Sequence, residues 1–390
     1  MKIGIISIDR HSLVYEFSDK RLVKLEKQNS LCRTVKGILD YFPYRGDMSL
    51  ESISWVTDIG YRLTRQFEPD FVFLGYSTPY VISMFSSQPI KVIRQKVFAE
   101  VDRFINNSAY LPIIVGCGST VQCENVIDLS FLDGVVLTGN MSPVYAGLYN
   151  PSERDLKYLE NHESIQMLVS KERLKFIWER ENLLSKNLPD FLLVANRGSV
   201  FGTAPSAKPK IYRVNNRDNL VPVYSPEPVS YITDIAPLIS RYIKQENRKV
   251  ALIVLEGIGM DDFQWDFHSC KNTYSWYTYI QGECQYYALT SGLELPDHDY
   301  APSYSSAPHR SGKLLEMLDF KPNKVIGADP AIRSCAVGTR RIMTRIASGA
   351  DITIEPLDFP SGVGCAGIID LSTSMTKEVF DNDIRSTVTR

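Results

Sequence analysis

Residues 256–313 are the part of this chain richest in groups that could do chemistry. The stretch opens with Glu256-Gly257-Ile258-Gly259 and the pair Asp261 and Asp262. It passes through the aromatic run Tyr274-Ser275-Trp276-Tyr277-Thr278-Tyr279 and ends in Asp297-His298-Asp299-Tyr300 and His309-Arg310. Carboxylates and imidazoles together suit borderline and hard divalent ions such as zinc or manganese, and they also suit proton transfer. Glu256, Asp261, Asp297, His298 and His309 are therefore candidate metal ligands, with Thr278 as a candidate attacking hydroxyl and His309 as a candidate acid–base group. The same residues also fit a loop in which histidines simply hydrogen-bond to neighbouring aspartates.

A second candidate is the loop Gly116-Cys117-Gly118-Ser119-Thr120, which follows a short apolar run. Its main-chain N–H groups could face an anion, and Cys117 could attack a substrate if its thiol is deprotonated. A tight turn holding a buried cysteine is the alternative. Ser311-Gly312-Lys313 is a fragment of a phosphate loop without the upstream glycine. Arg340, Arg341 and Arg345 fall on an expected helix, where a solvated basic face and an anion site are both open readings.

Several segments read as strands that could hold these residues in place. Short, continuous, β-branched runs predict strands over 3–8, 71–75, 113–116, 134–137, 191–195, 250–255, 325–327 and 367–369. Runs that are apolar on both faces belong to parallel sheets covered by helices. Apolar residues at helical spacing predict helices over 49–66, 92–105, 155–184 and 231–245. Alternating strands and helices predict an α/β fold with a doubly wound, mostly parallel sheet flanked by helices. In such sheets ligands sit at the carboxyl ends of strands. The residues that follow the expected strands here, including Gly75-Tyr76-Ser77-Thr78 and Asn196-Arg197-Gly198-Ser199, are small or polar. The proline- and asparagine-rich stretch 206–228 reads as a linker or surface excursion between an N-terminal α/β part, 1–205, and a C-terminal α/β part, 229–390, carrying the candidate site.

Bulk properties narrow the function classes. The 390 residues can bury a large core. Hydrophobic residues make up 44%, and the formal net charge of -2 offers no basic excess for nucleic acid. No apolar run is long enough to span a bilayer. Seven cysteines, none spaced C-x-x-C, argue against a disulfide framework and for buried thiols in a reducing cytoplasm. The expected partner is a small-molecule substrate, with neither nucleic acid nor membrane, and a homo-oligomer is left open.

Four stretches resemble the alkaline phosphatase superfamily, in particular its nucleotide pyrophosphatase/phosphodiesterase branch. Val250-Ala251-Leu252-Ile253-Val254-Leu255-Glu256-Gly257 is similar to the family's opening strand, where an aspartate before a glycine binds metal. Ala288-Leu289-Thr290-Ser291-Gly292 through Pro296-Asp297-His298 looks like the family's helix end and following loop. Pro69-Asp70-Phe71-Val72-Phe73-Leu74 and Pro112-Ile113-Ile114-Val115-Gly116-Cys117-Gly118 resemble two later strands. The resemblance implies a metal-assisted site near Glu256, with Thr278 close to the nucleophile's place. The chain departs from the pattern in three ways. Glu256 replaces the aspartate, Gly116-Cys117-Gly118 stands where the family keeps aspartate-histidine-glycine, and the opening strand comes after the later ones.

Three functions compete on these residues. One is a hydrolase or transferase acting on a phosphate or sulfate ester, assisted by zinc or manganese. Another is a metal-free biosynthetic enzyme in which Cys117 or His309 reacts with a small organic substrate. The third is a non-catalytic, phosphatase-like binding subunit.

Overall fold

The computed structural model describes residues 2–8, 11–16, 21–23, 30–85, 87–139, 142–173, 189–202, 211–214, 220–272, 283–292, 332–339, 350–359 and 362–370. Three strands open the chain: β1 (Lys2–Ile8), β2 (His11–Glu16) and β3 (Arg21–Val23). The heart of the sheet is formed by β4 (Phe71–Tyr76), β5 (Leu111–Cys117), β15 (Val250–Glu256), β17 (Ser334–Gly338) and β18 (Ile352–Phe359). These five run parallel in the order β5-β15-β4-β17-β18. Antiparallel strands extend the sheet on both sides. They are β14 (Leu220–Tyr224) and β16 (His268–Lys271) beyond β5, and β19 (Gly362–Asp370) followed by β1, β2 and β3 beyond β18. Among the described residues the sheet has eleven strands, mixed overall and parallel through its centre.

The central strands form where the sequence is apolar without interruption. Every residue of β4 and β15 is buried, as expected of strands covered on both faces. On one face, α1 (Ser30–Tyr41), α2 (Glu51–Phe67) and α4 (Ile90–Asn107) pack against Val72, Leu74, Ile114, Ala251 and Ile253. In α2 the apolar residues Ile53, Val56, Ile59 and Leu63 recur at helical spacing, and all are buried. On the opposite face, the helices Ile235–Lys244 and Glu283–Ser291 cover Phe71, Phe73, Ile113, Val115, Leu252 and Val254. Fully burying each such side chain contributes about 1.5–3 kcal/mol. This is an α/β, doubly wound architecture with helices on both faces.

A smaller layer lies outside this sheet. Its four antiparallel strands are β10 (Ile165–Ser170), β11 (Phe191–Ala195), β9 (Ser142–Tyr149) and β8 (Val135–Gly139), in that order. Two further strand pairs occur among the described residues: β12 (Ser199–Gly202) with β7 (Asn125–Asp128), and β13 (Ile211–Val214) with β6 (Ser119–Gln122). The expected helix over 155–184 is corrected here. Its first part holds α5 (Glu153–Glu160), opened by a capping box between Ser152 and Asp155, while residues 171–173 are again helical and 174–184 lie outside the described residues. Asn161 leaves the helical conformation, and residues 165–170 pair with β11 instead. Apolar spacing along 165–169 suits either element, and the distant partner strand decides between them. The stretch 206–228 contributes β13 and β14, the latter inside the main sheet. The expected strand at 325–327 lies outside the described residues.

Two helices on the first face are fastened by one buried acid. Glu100 on α4 accepts from Ser54 of α2 at 2.8 Å and from Lys96 at 2.7 Å, and Arg103 bridges Glu100 to Asp58 of α2. Burial pushes the Glu100 carboxyl up, but the donors Lys96, Arg103 and Ser54 outweigh it and hold the pKa below the usual glutamate range. A folded-state pKa that is depressed adds stability at neutral pH, and this is lost as pH falls through the carboxylate range. Urea unfolding followed as the pH is lowered is expected to show a shallower loss for Glu100→Gln than for the native chain. Identical slopes for the two proteins contradict this account.

Candidate functional site

The parallel register brings four strand ends level. Glu256 pairs with Cys117 across β15 and β5, and Leu255 pairs with Tyr76 across β15 and β4. Continuing that register by one residue sets Ser77 beside Glu256. Gly338 pairs with Gly75, and Thr339 follows it at the end of β17. Cys117, Glu256, Ser77 and Thr339 therefore line the carboxyl ends of four adjacent strands, and all four are buried. Cys117 belongs to the core that holds Val115, Val254 and Phe73, so residues alternating with it on neighbouring strands share that face. Ser77 and Thr339 are joined directly. Their hydroxyl oxygens are 2.7 Å apart, and the Ser77 N–H donates to Thr339 Oγ1 at 3.1 Å.

Glu256 has no exposed surface. An unpaired carboxylate there would be costly, and the Tyr286 hydroxyl donates to its Oε1 at 2.7 Å. Tyr286 comes from the helix Glu283–Ser291 and lies edge-on to Phe73, with ring centroids 5.6 Å apart. Gly75 lies beside both rings. A Cβ there would lie 3.6 Å from Tyr286 Oη and 3.1 Å from the Phe73 ring.

Two loops leave this edge in tight contact. Gly118 and Gly257, one residue past β5 and β15, both have φ of +82°, a left-handed conformation that side chains disfavour. Gly259 packs so closely on Ser119 that an added Cβ would collide with its hydroxyl. Arg94 of α4 straddles both loops. Its Nη1 is 2.7 Å from Asp262 Oδ1 and its Nη2 donates to Thr120 Oγ1 at 3.0 Å. Its Nε–H is buried without a hydrogen-bond partner. Burial, only partly offset by Arg94, raises the Asp262 pKa.

Of the residues singled out from sequence, Glu256 and Cys117 come together as register partners. Asp261 is turned outward, its side chain 74% exposed, and is 3.8 Å from Arg197. Such an exposed pair adds little stability. Thr278, Asp297, His298 and His309 lie outside the described residues, as do Arg340, Arg341 and Arg345. Among the described residues no three histidine, cysteine, aspartate or glutamate side chains gather into a metal-holding group. Glu256 and Cys117 form a two-donor set, short of the three or four ligands a zinc centre uses. The described residues therefore do not by themselves fit a metal centre. Ser77, Thr339 and Tyr286 were not singled out from sequence. The polar loop after residues 71–75 was a signal for Ser77, whereas nothing local marks Tyr286 as the partner of Glu256. No described helix is long and apolar enough to cross a membrane, and Cys32, Cys117, Cys123, Cys270, Cys335 and Cys365 are buried.

No protein-family model matches the chain, and no curated protein matches it. Among solved structures it is similar to phosphonoacetate hydrolase from Sinorhizobium meliloti 1021 in complex with phosphonoformate. The identity is 16% and the TM-score 0.37, over 47% of this chain and 52% of that one. The complex of that hydrolase with phosphonoacetate matches with the same figures. Murine ectonucleotide pyrophosphatase/phosphodiesterase 5 is 14% identical, with a TM-score of 0.23, over 43% of each chain. The chain spans about half the length of these structures.

Two substitutions test the geometry of the site. Tyr286→Phe removes the donor to a buried carboxylate and is expected to cost about 2 kcal/mol in urea unfolding; an unchanged midpoint would show that Glu256 does not depend on it. Gly259→Ala should lower the melting temperature by forcing the two loops apart. Gly37→Ala, in the exposed middle of α1 with nothing within 4 Å of the added methyl, should raise stability by about 0.8–1 kcal/mol. Equal shifts in the two glycine variants contradict the close packing on Ser119.

Proposed function

We propose that this chain is a hydrolase or transferase acting on a phosphate or sulfate ester of a small molecule. The observation that carries this reading is the row Cys117, Glu256, Ser77 and Thr339 across four adjacent strand ends. This is the sheet edge where α/β proteins place ligands, and the row combines a carboxylate with hydroxyl and thiol groups. Transfer of an anionic ester also needs a positive group near the charge that develops. Arg94, at the same edge with its Nε–H unpartnered, supports the choice of an oxyanion ester.

Metal assistance would require Asp297, His298 and His309 to join Glu256, since the described donors do not complete a site. A second reading is favoured by the adjacency of Cys117 and Glu256. In it, a metal-free enzyme uses the thiol against an organic substrate, with the carboxylate as base.

The test is turnover of p-nitrophenyl phosphate, bis(p-nitrophenyl) phosphate and p-nitrophenyl sulfate, with and without added zinc or manganese. At least one ester is expected to be cleaved, and Glu256→Gln should slow cleavage about 100-fold or more, the range for losing an acid–base group. No cleavage of any ester under either condition overturns the reading. Zinc or manganese in the purified protein that is lost in His298→Ala supports the metal-assisted form. Inactivation by thiol alkylation that is abolished in Cys117→Ser shifts the assignment to the second reading.

A further inference from the structure

We propose that β8 is a docking edge for a second copy of this chain. The two β8 strands pair antiparallel about a two-fold axis, so that Leu137 of each copy meets Leu137 of the other. This surface takes no part in the ester chemistry proposed above.

One face of the four-stranded sheet packs on Leu156 and Leu159 of α5, and Val136 of β8 belongs to that face. Side chains alternate along a strand, so Val135 and Leu137 point to the other face. There a row crosses the sheet in register. Val169 of β10 pairs with Leu192 of β11, Leu192 with Gly147 of β9, and Gly147 with Leu137 of β8. Val169, Leu192 and Gly147 are buried, whereas Leu137 is 53% exposed and Val135 59%. The apolar row is closed at β10, β11 and β9 and open at β8, the side on which a further strand would continue it. Exposed apolar groups also lie on the α5 side. Phe131 and Tyr158 meet edge-on there, with ring centroids 4.8 Å apart. The N–H groups of Asp133 and Gly134 donate to the Asp155 carboxylate at 3.2 and 3.0 Å, which ties the start of β8 to α5.

Among the described residues β8 is the last strand of its sheet. A sheet edge leaves main-chain N–H and C=O groups unpaired, and proteins guard such edges with charge, proline or bulges. Val135-Val136-Leu137-Thr138-Gly139 has neither charge nor proline, and its one irregularity lies at the end, between Thr138 and Gly139. The ends of the eleven-stranded sheet differ. β3 carries Arg21, and β16 carries His268 and Lys271, whose N–H already donates to the Ser230 carbonyl at 2.8 Å.

An uncharged edge has nothing to select a partner of opposite charge, and a second β8 matches it. Antiparallel pairing about a two-fold axis is self-complementary. It keeps corresponding faces on one side, so the Val135 and Leu137 strips of the two copies lie next to each other. The exposed parts of Phe131, Val135, Leu137 and Tyr158 come to roughly 350 Å² per copy, about half of what one side of a standard interface buries. The dimer is therefore a weak one, with a dissociation constant on the order of micromolar.

Sedimentation velocity of the full chain from about 1 to about 100 μM brackets such a constant. The mass is expected to rise from that of one chain towards two. Leu137→Lys and Leu137→Glu each set like charges against one another across the axis. Each should weaken the dimer about tenfold or more, with an unfolding midpoint close to native because the side chain is half-exposed. An equimolar mixture of the two variants should restore the dimer, since lysine then faces glutamate. Tyr41→Lys, on α1 and well exposed, should leave dimerisation unchanged. A single-chain mass at every concentration overturns the inference. So does a dimer that survives in both Leu137 variants, or one that their mixture does not restore. If neither charged variant folds, Leu137→Cys decides. Mild oxidation should link its two copies, as Cα atoms about 4.4–6.8 Å apart permit, and should not link Tyr41→Cys. Equal cross-linking of the two cysteine variants overturns the inference.

Discussion

Glu256 is withdrawn from water at the end of a strand that is hydrogen-bonded along both edges. A buried carboxylate is tolerated only where donors replace the water it has lost. Much of the surrounding structure meets that need. The helix Glu283–Ser291 must lie against the sheet so that Tyr286 can reach the carboxylate, and the Phe73 ring sets the angle of the phenol. A side chain at position 75 would press on the Phe73 ring. A tyrosine on a distant helix is thus tied to one acid at a strand end.

The same acid shows how the chain is woven. β15, from the later part of the sequence, lies between β4 and β5 from the earlier part, and β1 returns to pair with β19 near the end. Neither half can complete its central sheet alone. Pairing strands so far apart in sequence carries a large loop-closure cost before any contact forms. The wholly apolar faces of β4 and β15 offset that cost by burial. This interleaving also brings Glu256 beside Cys117, which stand in separate, out-of-order stretches of sequence.

Polar groups at the strand ends divide into two kinds. Asp351 is buried because it caps the start of β17, accepting from the N–H groups of Arg333 at 2.8 Å and Ser334 at 3.0 Å, and it needs no catalytic explanation. Cys117, Glu256, Ser77 and Thr339 lie at the other end of the parallel strands, where no helix cap or turn requires all four. The loops beyond two of them turn at Gly118 and Gly257, and Gly259 packs closely on Ser119.

Much of this could be read from residue pattern alone. The runs at 71–75, 113–116 and 250–255 are apolar at every position, and such runs have few alternatives to a buried parallel strand. The periodic apolar residues of 49–66 and 92–105 likewise have one comfortable conformation, and both are helices here. Residues 165–170 did not carry their own answer, because their spacing suits helix and strand alike and β11 supplied the deciding hydrogen bonds. Glu256 and Cys117 were recognisable as polar residues at strand ends. Their adjacency was not, and neither was the placement of Ser77, Thr339 and Tyr286. Local pattern reports which face of an element is apolar, but the order of strands in a parallel sheet depends on crossovers between remote segments. Only the assembled sheet could place those side chains at one edge.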